Sequence, residues 1–449
     1  MPNKKANIDD LTRENNELRR ENNDLKRILS SKRFRIANKI GNTFNSFFPI
    51  GTKRRQAIKT AMRGATKINS AKQKRILRPL INTITAMSSN KKNVMIINSI
   101  PWNVELKQRP HHLAIEFSKL GYFVVFLECT NKINHFRKIN DSFITTNDPK
   151  LLDAFKGTEK NIYFMQLSTI PSISIDEIMR LKKVINMQVI YDYIDEIHED
   201  ISGDLYHQKL IWNSLDRIDP ILITVTADRL FKQIRNHYDK TKILISKNAV
   251  DVAHFNPHSS MNTSSPRDMK QILNTGQPVV GYYGAIAPWL DYELLNKLAK
   301  KRQDLQFVYI GLDYGDALKE LKQFPNVHYL GPKEYDDLPK YSHCFNCAII
   351  PFVTGEIAKA TSPVKLFEYM AAGLPTICTK DLEECKGYDY IYISKNNTEF
   401  EKNIDKAIQE HKHKRTRDTL TAEASKNTWS QKSNDIDSAL NKIRDKKLN

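Results

Sequence analysis

The sequence predicts an α/β protein made of two doubly wound domains, each with a parallel sheet covered by helices. At 449 residues the chain is too long for one ordinary hydrophobic core, which favours two domains plus extensions. Short apolar runs alternate with helical patterns over most of its length, and this alternation is typical of parallel sheets. A polar stretch rich in Ser, Thr, Asn and Pro, 258–277, separates two such blocks and is interpreted as a linker.

The first predicted domain covers 93–257. Its opening strand, Asn93–Ile100, is followed by a loop, by a helix that ends at Gly121, and by a second strand, Phe123–Glu128. This strand–helix–strand order is the start of a doubly wound sheet. Further apolar runs predict strands at Asn161–Leu167, Met187–Tyr191 and Ile221–Val225.

The second predicted domain covers 278–425 and is followed by a terminal helix at 426–449. Helical patterns run from Asp291 to Lys301 and from Glu399 to His411. The apolar runs between them predict strands at Pro278–Tyr283, Leu305–Gly311, Val327–Gly331, Cys347–Phe352 and Thr376–Thr379.

The stretch TSPVKLFEYMAAGLP, 361–375, has the signals of a short helix at both ends. Ser362 is a suitable N-cap, and Pro363 fits the first helical turn, where its missing N–H costs nothing. Gly373 suits the left-handed position that ends a helix, and the proline two residues later prevents its continuation.

The start of this helix is predicted to bind an anion. The backbone N–H groups of Val364 and Lys365 point out of the helix N-terminus, where the macrodipole and the Lys365 charge favour a phosphate. Glu368 lies three residues later on the same face, and its carboxylate could accept hydrogen bonds from a pair of ribose hydroxyls. The alternative is an ordinary amphipathic helix on which Lys365 and Glu368 form a solvated pair.

The same stretch resembles the donor-site helix of the family 4 glycosyltransferases, which have the GT-B fold. That family has two Glu residues eight positions apart followed by an Ala-x-Gly-x-Pro turn. Glu368 matches the second Glu and Ala371–Pro375 matches the turn, whereas the first Glu would fall at Ala360. Pro363–Tyr369 also matches the Pro-x-Lys segment ending in Glu-Tyr that many bacterial members carry.

The resemblance implies two Rossmann-like domains facing each other across a cleft, and transfer of a sugar from a nucleotide-diphosphate donor with retention of configuration. Gly284 ends the strand whose small-residue loop approaches the donor phosphates in that family. The Arg and Lys that often follow are absent here, so Lys365 is expected to compensate and to act catalytically on the leaving diphosphate. Lys333 either reaches the nucleotide or is a surface residue. The expected donor-binding residues are Gly284, Lys333, Ser362, Pro363, Val364, Lys365 and Glu368.

The acceptor side is predicted in the first domain. Gln108 and Arg109 belong to a Trp-x5-Gln-Arg-Pro segment that resembles a bacterial subgroup involved in cell-wall and capsular polysaccharides of the teichuronic-acid type. Arg109 is expected to hold an acceptor or donor phosphate, and the alternative is a structural Arg that caps the loop. Asp195 follows a strand at the sheet edge where α/β proteins bind ligands, and we expect it to have an acceptor or catalytic role. No metal site is expected.

The N-terminal 92 residues carry +17 of the formal net charge of +19. Residues 1–31 are predicted to form a coiled-coil helix, because apolar and Asn residues recur at heptad spacing between 8 and 29, which favours a parallel homodimer. Residues 32–92 are basic with interspersed aromatics, which suits an anionic membrane surface. Nucleic acid is the competing partner, but no nucleic-acid-binding motif occurs and none is expected to bind. A flexible basic linker with no partner is the third interpretation.

The remaining expectations concern location and alternatives. The sequence has no uncharged apolar run of about 18 residues, no secretory signal and few cysteines, so we expect a cytoplasmic protein, peripheral on the inner face of the cell membrane. No cofactor is expected beyond the nucleotide sugar used as substrate, and the acceptor is expected to be a growing cell-surface polysaccharide or a lipid-linked glycan. Two other functions remain open: a non-catalytic GT-B-like scaffold assembled through its coiled coil, and a basic nucleic-acid-binding protein.

Overall fold

Five of the eight strands in the first of two parallel-rich sheets lie where the apolar runs predict them. The structure is a computed structural model that describes residues 77–104, 107–129, 135–168, 173–195, 215–256 and 264–448. The predicted coiled coil, the basic segment up to residue 76 and the dimer interface at 8–29 lie outside the described residues. Residues 77–87 are helical, and Leu80–Asn449 form one compact unit.

The first sheet has eight strands in the order β3-β4-β2-β1-β5-β6-β7-β8. Only β3 and β4 pair antiparallel, and the other neighbours are parallel. The central strand β1 is almost continuously buried because helices and chain cover both of its faces. The bounds are β1 Asn93–Ser99, β2 Phe123–Glu128, β3 Phe136–Asn140, β4 Phe143–Thr146, β5 Asn161–Leu167, β6 Met187–Tyr193, β7 Leu222–Val225 and β8 Ile243–Ile245.

Helices connect these strands in the expected order. The first, α1, begins directly after the loop that follows β1 and ends before Gly121, which has a φ of +88°. A side chain would be strained in that conformation, so glycine suits this helix end. The helices in this part are α1 Arg109–Lys119, α2 Ile175–Val184, α3 Asp228–Ile234 and α4 Val252–Phe255.

The second sheet has six strands, all parallel, in the order β11-β10-β9-β12-β13-β14. Its strands are β9 Val279–Tyr283, β10 Gln306–Ile310, β11 Val327–Tyr329, β12 Cys347–Ile350, β13 Thr376–Thr379 and β14 Ile391–Ser394. Its helices are α5 Lys270–Leu273, α6 Tyr292–Lys301, α7 Leu338–Ser342, α8 Glu356–Ala360, α9 Val364–Ala371, α10 Asn397–His411 and α11 Lys414–Ala424.

The last helix, α12 Trp429–Leu448, returns to the first sheet. The backbone N–H of Val250 donates to the Asn427 carbonyl oxygen at 3.0 Å, which fixes the crossing point. Trp429, Ile436 and Leu440 are buried in the same hydrophobic cluster as the core of the first sheet and α1. The C-terminal end of the chain therefore completes the first domain and not the second.

The structure differs from the prediction in some short elements. The hairpin of β3 and β4 was not predicted, because β3 is an edge strand whose residues are mostly polar and partly exposed. The helix α9 begins at Val364, with Pro363 as its N-cap, so the expected Ser362 N-cap is wrong by one residue. The Ser362 carbonyl is used elsewhere, since it accepts a hydrogen bond from Asn248 Nδ2 at 2.6 Å.

Candidate active site

The side chain of Lys365 is held between two aromatic rings at the start of α9. Its Nζ lies 4.8 Å from the ring centroid of Tyr282 and 5.0 Å from that of Phe352. Nζ also donates a hydrogen bond to the Tyr282 hydroxyl at 3.2 Å, and that hydroxyl donates to the Ala285 carbonyl at 3.0 Å. These contacts partly offset the cost of desolvating the ammonium group and fix its position.

Gly284 brings the loop after β9 directly against this ammonium group. Its φ is +138°, and a Cβ placed on it would lie 2.7 Å from Lys365 Nζ and 2.8 Å from Cε. A Cβ on the neighbouring Gly311 would lie 1.8 Å from the Gly284 carbonyl oxygen. Glycine is therefore required at Gly311, where the obstacle is backbone, whereas a side chain at Gly284 would displace the end of the Lys365 side chain.

Glu368 lies one turn further along α9 and is buried. Burial raises the pKa of its carboxyl to about 7, although the Tyr283 hydroxyl and the Lys365 charge act in the opposite direction. Burial also lowers the pKa of Lys365 to about 8, with Glu368 opposing the change. Both groups are therefore set to titrate near neutral pH, which is typical of functional sites.

Besides Tyr283, two further tyrosines, Tyr369 and Tyr335, lie near Glu368. The backbone N–H of Tyr283 donates to the Tyr369 hydroxyl at 2.9 Å, and the two rings meet edge to face. Tyr335 is also near enough for the Glu368 charge to raise its pKa, after the larger effect of burial. Its ring stacks on His254 at 4.6 Å between centroids. The Tyr283 and Tyr335 hydroxyls are buried.

The start of α9 faces the first domain. Val364 packs against the hydrophobic cluster that contains the core of the first sheet. The Ser362 hydroxyl is buried and has no hydrogen-bond partner in the described part of the chain. Pro363 is buried next to it. Ser362, Val364, Lys365 and Glu368 thus lie together at the boundary of the two domains, as expected for a ligand-binding cleft.

Arg109 does not face this cluster. Its guanidinium forms a bidentate pair with the buried Asp192, with Nε–Oδ2 at 2.9 Å and Nη2–Oδ1 at 3.1 Å. The Ser246 hydroxyl at 3.0 Å and the Lys247 carbonyl at 3.3 Å accept further hydrogen bonds from it. This pairing favours the structural interpretation of Arg109 over the phosphate-binding one, because its donors are already used within the protein.

The other expected residues of the first domain lie at loops. Gln108 is exposed, and its backbone N–H donates to His111 Nδ1 at 3.2 Å. Asp195 is partly buried directly after β6, and burial raises its pKa to about 6, with the nearby Asp192 adding to the effect. The structure shows no contact of Gln108 or Asp195 with Lys365 in the described ranges.

Lys333 is engaged with the linker side of the second domain. Its Nζ lies 2.9 Å from Asp268 Oδ2 and 5.4 Å from the ring centroid of Tyr341. The structure therefore does not bring Lys333 to the Lys365 and Glu368 pair.

The structure adds Tyr282, Tyr283 and Phe352 to the residues that the sequence predicted. A signal was available, since aromatic residues end the apolar runs of β9 and β12, and the carboxyl ends of parallel strands form ligand sites. Among the described residues no group of three or more His, Cys, Asp or Glu side chains could hold a metal ion. In the same ranges, no helix has the length and apolar character needed to span a bilayer.

Comparison with known proteins supports a glycosyltransferase domain. Residues 277–410 match the family described as glycosyl transferases group 1. A teichuronic acid biosynthesis glycosyltransferase by name, TuaH of Bacillus subtilis, is 30% identical over 223 residues, which cover 46% of this chain and 54% of TuaH. The match therefore spans about half the length of this curated relative.

Solved structures share the whole fold. Sucrose-phosphate synthase from Thermosynechococcus elongatus superposes with a TM-score of 0.61 at 13% identity, covering 78% of this chain and 99% of that one. Anabaena HepE in complex with UDP and glucose superposes with a TM-score of 0.57 at 14% identity, covering 78% of this chain and 100% of HepE. At these identities the likeness concerns the fold, which has two Rossmann-like sheets facing each other. The chain therefore has the GT-B fold, and its residues 277–410 match the glycosyl transferases group 1 family.

Proposed function

We propose that this protein transfers a sugar from a nucleotide-diphosphate donor to a glycan. The observation that supports this most directly is the arrangement of Gly284, Lys365 and Glu368. A cation and a helix N-terminus lie directly against a glycine loop, and a carboxylate lies one turn away. This spacing suits a diphosphate at Lys365 and the ribose hydroxyls at Glu368.

In the proposed reaction, the bond between the sugar C1 and the diphosphate oxygen breaks, an acceptor hydroxyl oxygen forms the new bond to C1, and the hydroxyl proton passes to the departing diphosphate oxygen. The bonding electrons and negative charge go to the diphosphate. Lys365 and the N–H groups at the start of α9 stabilise that charge as it develops. Tyr282 acts as a positioning residue, since its hydroxyl and ring hold the Lys365 ammonium group. Glu368 fixes the nucleoside so that the leaving oxygen stays in line with Lys365.

We take a uridine nucleotide sugar as the first donor to test. HepE, which shares the fold, has been solved with UDP, with UDP and glucose, and with UDP-glucose. Retention of configuration is proposed from the resemblance to family 4. The position of the family's first Glu is taken by Ala360, which is buried against Tyr191, Tyr193 and Leu230 of the first domain. The transferred sugar would therefore be recognised by other groups.

The acceptor and the location extend the proposal. A cell-surface polysaccharide or lipid-linked glycan as acceptor is supported by the name of TuaH, a relative by sequence. The basic charge of 1–92 supports attachment of 32–92 to an anionic membrane on its inner face. The heptad pattern at 8–29 supports a parallel homodimer. Asp195 is proposed to contribute to the acceptor side. The proposed chemistry uses no metal or other cofactor.

The test is a thermal-shift panel on the full chain with UDP, GDP, CDP and ADP and their sugars. A ligand at about 100 times its Kd stabilises the folded state by about 2.7 kcal/mol, which gives a readable rise in Tm. We expect one nucleotide to raise Tm, and the rise to be absent in Lys365→Ala and Glu368→Ala. Lys297→Ala, an exposed lysine on α6, is the matched control and should keep the rise.

The panel also separates the alternatives. If no nucleotide raises the Tm of the folded wild-type protein, the transferase proposal is refuted and the non-catalytic scaffold function is favoured. A rise that survives in both Lys365→Ala and Glu368→Ala would place nucleotide binding elsewhere.

A further inference from the structure

An exposed apolar surface lies beside the proposed donor site. It is formed by Trp289, Leu312, Tyr314 and Val353, which are 39%, 51%, 57% and 49% exposed. These four side chains, here called the platform, stand on the loops that follow β9, β10 and β12. Among the described residues only Leu120 and Ile245 are also large, apolar and this exposed, and both lie in the first domain. A cluster of this kind marks an interaction site more often than scattered apolar residues do.

Backbone hydrogen bonds join the three loops of the platform. The Val353 N–H donates to the Trp289 carbonyl oxygen at 2.8 Å. The Ile286 N–H donates to the Leu312 carbonyl oxygen at 2.9 Å, and the Tyr314 N–H donates to the Ile286 carbonyl oxygen at 2.8 Å. The platform is therefore held in shape before any ligand arrives, which lowers the entropy cost of binding.

The two aromatic rings of the platform are suited to a flat ligand face. Trp289 and Tyr314 lie 5.6 Å apart between ring centroids, with 42° between their planes. Two neighbouring aromatic rings on the surface offer an apolar face wide enough for one sugar ring. The C–H face of a pyranose ring is apolar and of similar width, so it packs well on such a surface while its hydroxyls remain at the edge.

The platform continues the proposed path of the donor. With the ribose at Glu368 and the diphosphate at Lys365, the sugar end of the donor leaves Lys365 on the side away from Glu368. Phe352, whose ring is 5.0 Å from Lys365 Nζ, precedes Val353 in the chain. The loop that carries Trp289 begins at Gly284, which packs on the same lysine. Two of the three platform loops thus contact Lys365 before they reach the platform, and we expect the transferred sugar to meet its acceptor on this side.

The local charge favours a neutral, hydroxyl-rich ligand. The three loop segments 284–291, 311–316 and 352–355 contain three acidic residues and no basic one. Carboxylates at Asp291, Asp313 and Asp316 repel phosphate groups and an anionic lipid surface. Those of Asp291 and Asp313 already accept backbone hydrogen bonds within the protein, whereas Asp316 is exposed and can accept hydrogen bonds from sugar hydroxyls.

We propose that the platform binds a neutral sugar ring of the glycan acceptor, stacked on Trp289 and Tyr314, next to the sugar that is transferred. This inference rests on the proposed function, because it takes the donor position from Lys365 and Glu368. The acceptor is assigned in preference to the transferred sugar because the platform is open to solvent, whereas a reactive donor sugar must be shielded from water.

The test is saturation-transfer NMR on the full chain, saturated with the nucleotide from the panel, using maltotriose and cellotriose as neutral sugar probes. We expect the ring C–H protons of at least one probe to receive saturation. Trp289→Ala and Tyr314→Ala should each weaken binding by about tenfold, while Trp289→Phe retains most of it. Leu120→Ala, which removes an equally exposed apolar side chain in the first domain, should leave binding unchanged.

Nucleotide binding by the same variants separates this inference from the proposed function. Unchanged nucleotide binding with lost sugar binding in Trp289→Ala supports the platform. Nucleotide binding without any sugar contact, or sugar contact that Trp289→Ala and Tyr314→Ala do not weaken, refutes the platform alone. If the wild-type protein binds no nucleotide, both the proposed function and the platform inference are refuted. Binding to phosphatidylcholine–phosphatidylglycerol vesicles that Trp289→Ala abolishes would show that the platform contacts lipid, and it would also overturn the inference.

Discussion

Replacing Gly284 by Ala tests whether the close approach of this loop to Lys365 is needed for nucleotide binding. At a φ of +138° an alanine is strained, at a cost of about 1–3 kcal/mol. The added Cβ would lie 2.7 Å from Lys365 Nζ, so the lysine must leave its place between the two rings, which costs a further amount of about 1–3 kcal/mol. We therefore expect a total loss of about 2–6 kcal/mol in the free energy of unfolding.

The chain offers a control for an alanine at positive φ without the clash. Gly276 has a φ of +70°, and a Cβ placed on it would meet nothing within 4 Å. Gly276→Ala should therefore cost only about 1–2 kcal/mol, from the backbone conformation alone. A second control is Gly284→Ala in a Lys365→Ala background, where most of the clash is gone. The difference between the two backgrounds should be about 1–3 kcal/mol.

Calorimetry and nucleotide titration measure the two consequences. For domains of this size each kcal/mol lowers Tm by about 2–4 °C, so Gly284→Ala should melt clearly below Gly276→Ala. Because Lys365 is displaced, the charge-assisted contact that we propose between it and the diphosphate should be lost, and affinity should fall by about tenfold to a hundredfold. If Gly284→Ala matches Gly276→Ala in both Tm and affinity, the loop does not position Lys365 and the reasoning is wrong.

Three other perturbations test the site. Arg109→Met should lower Tm with and without nucleotide, since it leaves Asp192 as a buried unpaired charge at a cost of about 3–5 kcal/mol; a selective loss of nucleotide binding would instead indicate a phosphate contact. Nucleotide affinity should fall below pH 7, as Glu368 takes up a proton, and above pH 8, as Lys365 loses one. Glu368→Gln should remove the fall in affinity below pH 7. If that fall is unchanged in the variant, another group causes it. Ser362→Ala should raise Tm, because it removes a buried hydroxyl without a partner, yet weaken nucleotide binding; unchanged affinity would exclude Ser362 from the site.

Much of the fold could be predicted from local pattern alone. The strands Asn161–Leu167 and Thr376–Thr379 agree with the structure at both ends, because a strand buried on both faces is a continuous apolar run with clear limits. The edge hairpin Phe136–Asn140 and Phe143–Thr146 was missed, because an edge strand needs no continuous apolar run.

The candidate site likewise has one part that local sequence predicts and another that only the fold brings together. Lys365 and Glu368 share one face of a helix, and helical spacing places them together in any fold that contains this helix. Tyr282 and Phe352 belong to two other strands, and only the sheet order, with β12 beside β9, brings them to Lys365. Their role could not be read from spacing along the chain.

By itself, the sequence determined the alternation of strands and helices, the glycines that end helices and the pair of charges on α9, because these depend on neighbours within a few residues. Only the tertiary structure decided what the long-range partners are. Arg109 has the sequence context of a phosphate ligand, but Asp192, 83 positions later, takes its guanidinium in a buried bidentate pair. A buried charge must be neutralised by whichever opposite charge the fold brings beside it, and chain separation does not reveal that neighbour.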